Sequence, residues 1–258
     1  AGHLWNTTTR RGHGRTATVT TSAIADTVRS YNGLNHRLPD SAAIDGVERE
    51  LPLDPYLLGV WLGDGATDAP RISSVDHQIF DRFETHGYVL GSRDRCTVYI
   101  KNGLRRDLVA AGVLGNKHIP SVYLRASGVQ RLRLLRGLMD TDGTCSKAGQ
   151  CSFTTTSIVL RDGFLELVRS LGWKPTVQES VARLRGRDCG PCYRIQFWPT
   201  HYVFELDRKA ERQFQKHRVM RSRSRAVYVA SCERTPSVPV KCIAVDSASH
   251  LYLAGDGM

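Results

Sequence analysis

Apolar positions along the chain follow an order that occurs twice. Leu57, Leu58, Val60, Trp61 and Leu62 make the run from Pro55 apolar nearly all round, which predicts a helix buried on several sides with Pro55 in its first turn. A strand is expected at Arg71–Val75, a helix at His77–His86, a strand pair ending in Thr97–Lys101, and a helix at Leu104–Ala111. The order then recurs: helix Gln130–Met139, strand Gln150–Thr155, helix Ile158–Leu171, strands Thr176–Leu184 and Tyr193–Trp198, and a helix around His201–Lys209. Self-similarity at this period indicates a duplicated domain, each unit being too long for a solenoid repeat. Residues 1–50 have little periodicity beyond a short helix expected at Ser22–Ser30, and residues 226–258 read as a β-rich tail.

Each unit opens on the same sentence of sequence. Leu57-Leu-Gly-Val-Trp-Leu-Gly-Asp-Gly65 and Leu135-Arg-Gly-Leu-Met-Asp-Thr-Asp-Gly143 are helical runs with one internal glycine and an Asp-Gly end. Gly59 and Gly137 each cost the helix about 1 kcal/mol against alanine, so they imply two helices packed backbone to backbone. Asp64 and Asp142 would then emerge side by side. A helix C-terminus carries partial negative charge and tolerates two carboxylates only beside compensating cations. A divalent ion with hard oxygen ligands and retained waters, Mg²⁺ or Mn²⁺, answers that need.

Charge supplies the partner. A net charge of +11 and a pI near 9.6, due mostly to arginine, favour a polyanion over a small substrate. Nucleic acid is the expectation. Arg71, Arg93, Arg95, Lys174, Arg183, Arg185 and Arg187 lie on or beside predicted strands, where alternate side chains would reach a groove or the phosphates. The basic run Lys216–Arg225 reads equally as a solvated linker or a DNA contact. No run approaches the roughly 20 apolar residues of a membrane span, and no apolar signal core opens the chain, so a cytoplasmic, monomeric protein without membrane contact is expected. Seven scattered cysteines suit a reducing compartment better than a disulfide framework. Cys189-Gly-Pro-Cys192 has redox-motif spacing, but a β-type alternation follows it, so Gly190-Pro191 reads as a turn between strands. No second ligand pair stands at zinc spacing.

On these residues the chain resembles two-repeat LAGLIDADG homing endonucleases over about residues 51–225. Leu-Arg-Gly-Leu-Met-Asp-Thr-Asp-Gly is close to the family signature, whereas the first copy has Leu62 where the earlier acid of the signature stands. The resemblance implies an α+β fold, a pseudo-twofold duplicated αββαββα arrangement with saddle-shaped antiparallel sheets, and cleavage of one phosphodiester per strand at a long, pseudo-palindromic or asymmetric DNA site. It assigns the metal-binding acids to Asp64 and Asp142, assisted by the carbonyls of Gly63 and Thr141. It places supporting lysines at Lys101 and, between the repeats, Lys117. In the second half the place of Lys101 falls near Trp198, so unequal cutting of the strands is an implied outcome.

Both ends resemble inteins of replicative DNA helicases, flanked in their precursors by helicase exteins. On that match His3 is the histidine assisting the first acyl shift, Cys242 stands where many inteins have Asp, and His250 is the downstream histidine. Splicing needs an N-terminal Cys or Ser nucleophile and a C-terminal Asn. The sequence opens at Ala1 and stops at Met258, so splicing by it is not expected, while the parent intein would splice. The domains implied are 1–50, a splicing-domain remnant and linker; 51–128 and 129–225, the two endonuclease halves; and 226–258, the closing splicing-domain strands. Two alternatives stand beside the nuclease: a LAGLIDADG module that binds DNA without cutting, and a splicing domain with a vestigial insert.

Overall fold

The computed structural model describes residues 3–10, 14–31, 33–39, 42–214, 226–239, 241, 243–246, 248 and 252. Among the described residues no helix is long and apolar enough to cross a membrane. The chain divides into two compact units, Ala1–Ser41 with Arg221–Met258, and Ala42–Met220.

In the first unit β1 (Leu4–Thr9) pairs antiparallel with β2 (Thr16–Thr20), which leads into α1 (Thr21–Thr27). The helix ends three residues before the expected Ser30, because Arg29–Ser30 leaves it as β3, paired with β4 (Gly33–Leu34). β5 (His36–Leu38) continues the β1 sheet and is joined by Val227–Tyr228 from the C-terminal segment. His36 is buried between hydroxyls, Thr7 Oγ1 at 3.0 Å from Nδ1 and Thr27 Oγ1 at 2.8 Å from Nε2.

The second unit contains the repeat. Its first half runs α2 (Pro55–Asp64), β6 (Arg71–Ser73), α3 (His77–Thr85), β7 (Val89–Asp94), β8 (Thr97–Lys101), α4 (Leu104–Ala110) and α5 (Ser121–Leu124). The other half runs α6 (Gly128–Asp142), β9 (Gly143–Cys145), β10 (Cys151–Thr155), α7 (Ile158–Ser170), β11 (Thr176–Leu184), β12 (Arg187–Phe197) and α8 (Asp207–Phe214). The sheets, ordered β6-β8-β7 and β11-β12-β10-β9, are antiparallel throughout, giving the duplicated mixed α/β architecture.

The hydrogen-bond ladders fix which residues correspond. Gly65 bridges Ile72, which pairs with Val98; Gly143 pairs with Phe153, which pairs with Ile195. Counting along β8 and β12 from Val98 and Ile195 makes Trp198 the counterpart of Lys101. On every central strand the inward positions, Ile72, Val98, Ile100, Phe153, Ile195 and Phe197, are buried. Their neighbours form a polar face, as period-two alternation requires when one side of a sheet is covered by helices.

Three differences from the sequence expectation have local causes. The expected turn at Gly190-Pro191 lies inside β12, because Arg185 (φ 49°) and Gly186 (φ 80°) supply the two left-handed residues of a tight hairpin turn, so β12 starts at Arg187. No helix follows Cys189–Cys192, and the setting of a redox motif is not formed. The helix expected at His201–Lys209 is shifted to Asp207–Phe214, with residues 201–206 in an irregular approach held by side chains of α6. Residues 42–50 pack on the second half: Ile44 N donates to Ser170 O at 2.8 Å, the buried Arg131 donates to Ile44 O, and Gln130 exchanges hydrogen bonds with the Arg49 backbone.

Candidate active site

α2 and α6 cross where their glycines meet. A Cβ on Gly59 would stand 2.8 Å from Leu138 N and 3.0 Å from the Gly137 Cα, and one on Gly137 would stand 2.8 Å from Val60 N. Each distance is shorter than real Cβ contacts, so the helices can approach this closely only with glycine at both positions. A little further on, a Cβ on Gly63 would lie 2.6 Å from Thr141 Cβ. Both helices begin with well-made caps: Asp54 accepts from Tyr56 N and Leu57 N, and Ser127 forms a reciprocal capping box with Gln130. They also end alike. Asp64 and Asp142 are their last residues, and Gly65 and Gly143 leave in extended conformation while donating N–H to Trp61 O and Met139 O.

The side chains of Asp64 and Asp142 make no hydrogen bond or ion pair with any described residue, and both remain open to solvent. Burial pushes the Asp64 carboxyl up to about 6, and the neighbouring Asp142 charge adds to the shift. Asp142 has an exposed side chain, yet the surrounding protein withholds enough water to raise its pKa also. Each acid therefore senses a setting short of positive charge, the state a bound cation would relieve.

Two lysines already supply part of that charge. Lys117 Nζ donates to Leu62 O at 3.1 Å and Gly63 O at 3.2 Å, and to Gly65 O; Lys209 Nζ donates to Met139 O at 3.0 Å, Thr141 O at 3.0 Å and Gly143 O at 2.8 Å. Gly63 with Thr141, and Gly65 with Gly143, are corresponding positions, so each ammonium caps the orphan carbonyls of one helix end. Desolvation by burial holds both lysines below the usual amine range, opposed by Asp64 and Asp142 for Lys117, and by Asp140 and Asp64 for Lys209. Lys209 was not foreseen in the sequence. It stands 68 residues after Thr141, whereas Lys117 stands 54 after Gly63, and no motif surrounds it.

Lys101 ends β8 with an exposed side chain, opposite Val89 in the ladder. Beside Asp142 opens a cavity of about 280 Å³, bordered by Thr141, Thr144, Phe204, Arg208, Lys209 and Arg212 among others. The polar sheet face carries exposed Arg71, ion-paired with Asp68 at 3.8 Å; Arg93, although exposed, pairs with the inward-facing Val98 and lies over the Phe80 ring of α3 at 5.7 Å, on the helix side of the sheet, because the irregularity after Leu90 turns it there, and Arg95 lies at the β7–β8 turn. Arg183, Arg185 and Arg187 cluster around the β11–β12 turn, and Lys174 is exposed just before β11. Arg194 is exposed on the face of β12, opposite Thr154 and Gln178, a position that the alternation of β12 would have revealed.

The donor set fits a hard divalent ion in its carboxylates, which are solvent-reachable oxygens without partners among the described residues. Among the described residues no group of three or more His, Cys, Asp or Glu gathers as a metal site, so further ligands would have to be backbone oxygens or water. The carbonyls of Gly63 and Thr141 are the nearest such oxygens by sequence, and lysine ammonium groups hold them here. His3, in the first unit, is exposed and packs edge-on against Trp5 at 5.1 Å, while Cys242 and His250 lie outside the described residues, as does the whole run Lys216–Arg225.

Comparison with known proteins relates the chain to a known family. Residues 130–218 match the LAGLIDADG-like domain family. The replicative DNA helicase DnaB of Mycobacterium intracellulare is 37% identical over 248 residues, which make up 94% of this chain and 41% of that protein. The chain thus spans less than half the length of this relative. Both findings fit the resemblance to intein-borne LAGLIDADG endonucleases.

Proposed function

We propose that the chain, whose residues 130–218 match the LAGLIDADG-like domain family, is the site-specific DNA endonuclease part of an intein carried by a replicative helicase. The observation that carries the reading is the pair of acids, Asp64 and Asp142, without side-chain partners among the described residues, ending two helices that meet glycine to glycine. The polar faces of the two sheets, with Arg71, Arg183 and Arg187, bind duplex DNA through phosphates and groove edges. Asp64 and Asp142 are the residues that hold Mg²⁺ or Mn²⁺, which when bound supplies an activated water and neutralises charge on the leaving oxygen. Lys117 and Lys209 keep the helix ends electrically compensated and present ammonium charge next to the phosphate that lies across the acids. Lys101 is open to the same polar face, where it can contact the backbone of one strand. The parent intein splices, with His3, Cys242 and His250 in its splicing domain.

The test is incubation of the chain with duplex DNA carrying the uninterrupted helicase-gene junction and Mg²⁺. The expected result is one cut per strand at that junction, and intact DNA at every concentration rejects the proposal. A second reading, binding without cutting, is favoured by one observation: the ammonium groups of Lys117 and Lys209 engage the carbonyls of Gly63 and Thr141. Tight binding with no metal-dependent nicking would select it.

A further inference from the structure

The two helix ends differ at one buried position. Where α2 has Leu62, α6 has Asp140, and the carboxylate is only 2% exposed. Burying an ionised acid is costly unless hydrogen bonds replace its water. Asp140 has those bonds: its oxygens accept from Glu205 N at 3.0 and 3.2 Å and from Leu206 N at 3.2 Å, and Oδ2 accepts from Tyr56 Oη at 2.8 Å.

Glu205 and Leu206 immediately precede α8. Their N–H groups belong to the chain entering that helix, so the Asp140 charge lies where the helix dipole is positive and the N–H groups lack helical partners. Three residues after Leu206, Lys209 returns to the same stretch of α6 and donates to Met139 O, Thr141 O and Gly143 O. α8 is therefore held at two points that flank Asp142, one through Asp140 and one through Lys209. Of its other ties, Arg208 with Asp76 and Asp207 with Gln78 are more exposed and so contribute less to depth and orientation, and the buried Gln213 bonds to Val203 N and His201 O in the helix's own lead-in rather than to α6. In the first half Lys117 comes from the coil between α4 and α5, and the corresponding position is the apolar Leu62.

We infer that Asp140 is a positioning residue: by gripping the entry to α8 it holds the Lys209 ammonium beside Asp142, a task that has no counterpart in the first half. The inference rests on the nuclease reading for its consequence, because a displaced Lys209 would slow the strand cut served by the second half and spare the other. Its structural content is independent of cleavage.

The test is timed acylation of lysines in the full chain with an amine-reactive ester, read by peptide mass spectrometry, for wild type, Asp140→Asn and Asp140→Leu. Lys117 is the internal control. The expected result is a rise in Lys209 labelling on the order of 3–10-fold, as for loss of a local anchor, with Lys117 unchanged. Lys209 labelling unchanged in both variants overturns the inference. So does an equal rise at both lysines in both variants, which assigns Asp140 to general stability. Strand-resolved nicking supplies the second readout: one strand should slow while DNA affinity holds, and Asp140→Asn should add nothing to Lys209→Gln. Equal slowing of both strands, or full additivity with Lys209→Gln, counts against the inference. If the Asp140 variants show the labelling pattern but wild type cuts nothing, the nuclease reading fails and the positioning role stands.

Discussion

The two halves of the second unit hold the same acid at the same helix end and support it differently. Gly59 and Gly137, Asp64 and Asp142, and the extended glycines after them match in conformation. The compensating ammonium does not: Lys117 comes from a coil and lies 5.2 Å from the centre of the Trp61 ring, whereas Lys209 comes from a helix anchored by Asp140. The sheets diverge as well, one having three strands and the other four with a long β11–β12 ribbon. The difference teaches that duplication has kept the geometry of the close helix crossing and the acids while leaving each half free to find its own source of positive charge.

The comparison breaks most easily at the acids. Asp64→Asn and Asp142→Asn should each lower cleavage of the junction duplex by at least about 1,000-fold, as loss of a metal-binding carboxylate does, while gel-shift affinity stays within a few-fold. A strongly unequal effect would mean that the halves are chemically as well as structurally different. At the crossing, Gly59→Ala and Gly137→Ala should destabilise the protein alike, by about 2–4 kcal/mol in denaturant unfolding, because the methyl group has only backbone to displace. A neutral alanine at either position contradicts the close approach.

The lysines sharpen the comparison at smaller amplitude. Lys117→Gln and Lys209→Gln should each slow a different strand by on the order of 10–100-fold, measured with separately end-labelled strands. The smallest effect is on pH. Asp64 is pushed up to about 6 in the fold against about 3.9 when unfolded, so as pH rises from about 4 to about 6 the unfolded state releases its proton first and stability falls, the loss levelling off once the folded carboxyl has also ionised. The melting temperature of Asp64→Asn should therefore gain on wild type between pH 4.5 and 7.5 by a few degrees, a gain of about 1–2 kcal/mol. Mg²⁺ should raise the wild type and leave the variant less affected.

Much of this arrangement was legible in sequence where a local signal coincides with the tertiary role. The apolar run ending in Asp64, the internal glycines and the Asp-Gly ends each have a physical cause within nine residues, and α2 and α6 form where they were expected, extended to the acids themselves. Lys209 was not legible because its role is made by a contact from α8 back to α6, and one lysine in a polar helix carries no periodic signal. The start of β12 was misread because Gly190-Pro191 imitates a turn more strongly than Arg185-Gly186, which needs left-handed arginine backbone to form. Residues 42–50 lack any periodicity, and they lie against the second half through backbone contacts that carry no sequence signal: Arg131 to Ile44 O, Ile44 N to Ser170 O and Gln130 with the Arg49 backbone.

Strand-resolved cleavage of the helicase-gene junction by wild type, Asp64→Asn and Asp142→Asn, with Mg²⁺ and with EDTA, tests the central claim most directly. The expected result is a cut in each strand that requires Mg²⁺ and is lost in both variants, with DNA binding retained. Cleavage that survives both substitutions, or that persists in EDTA, would contradict the assignment of these two helix-end acids as the catalytic pair.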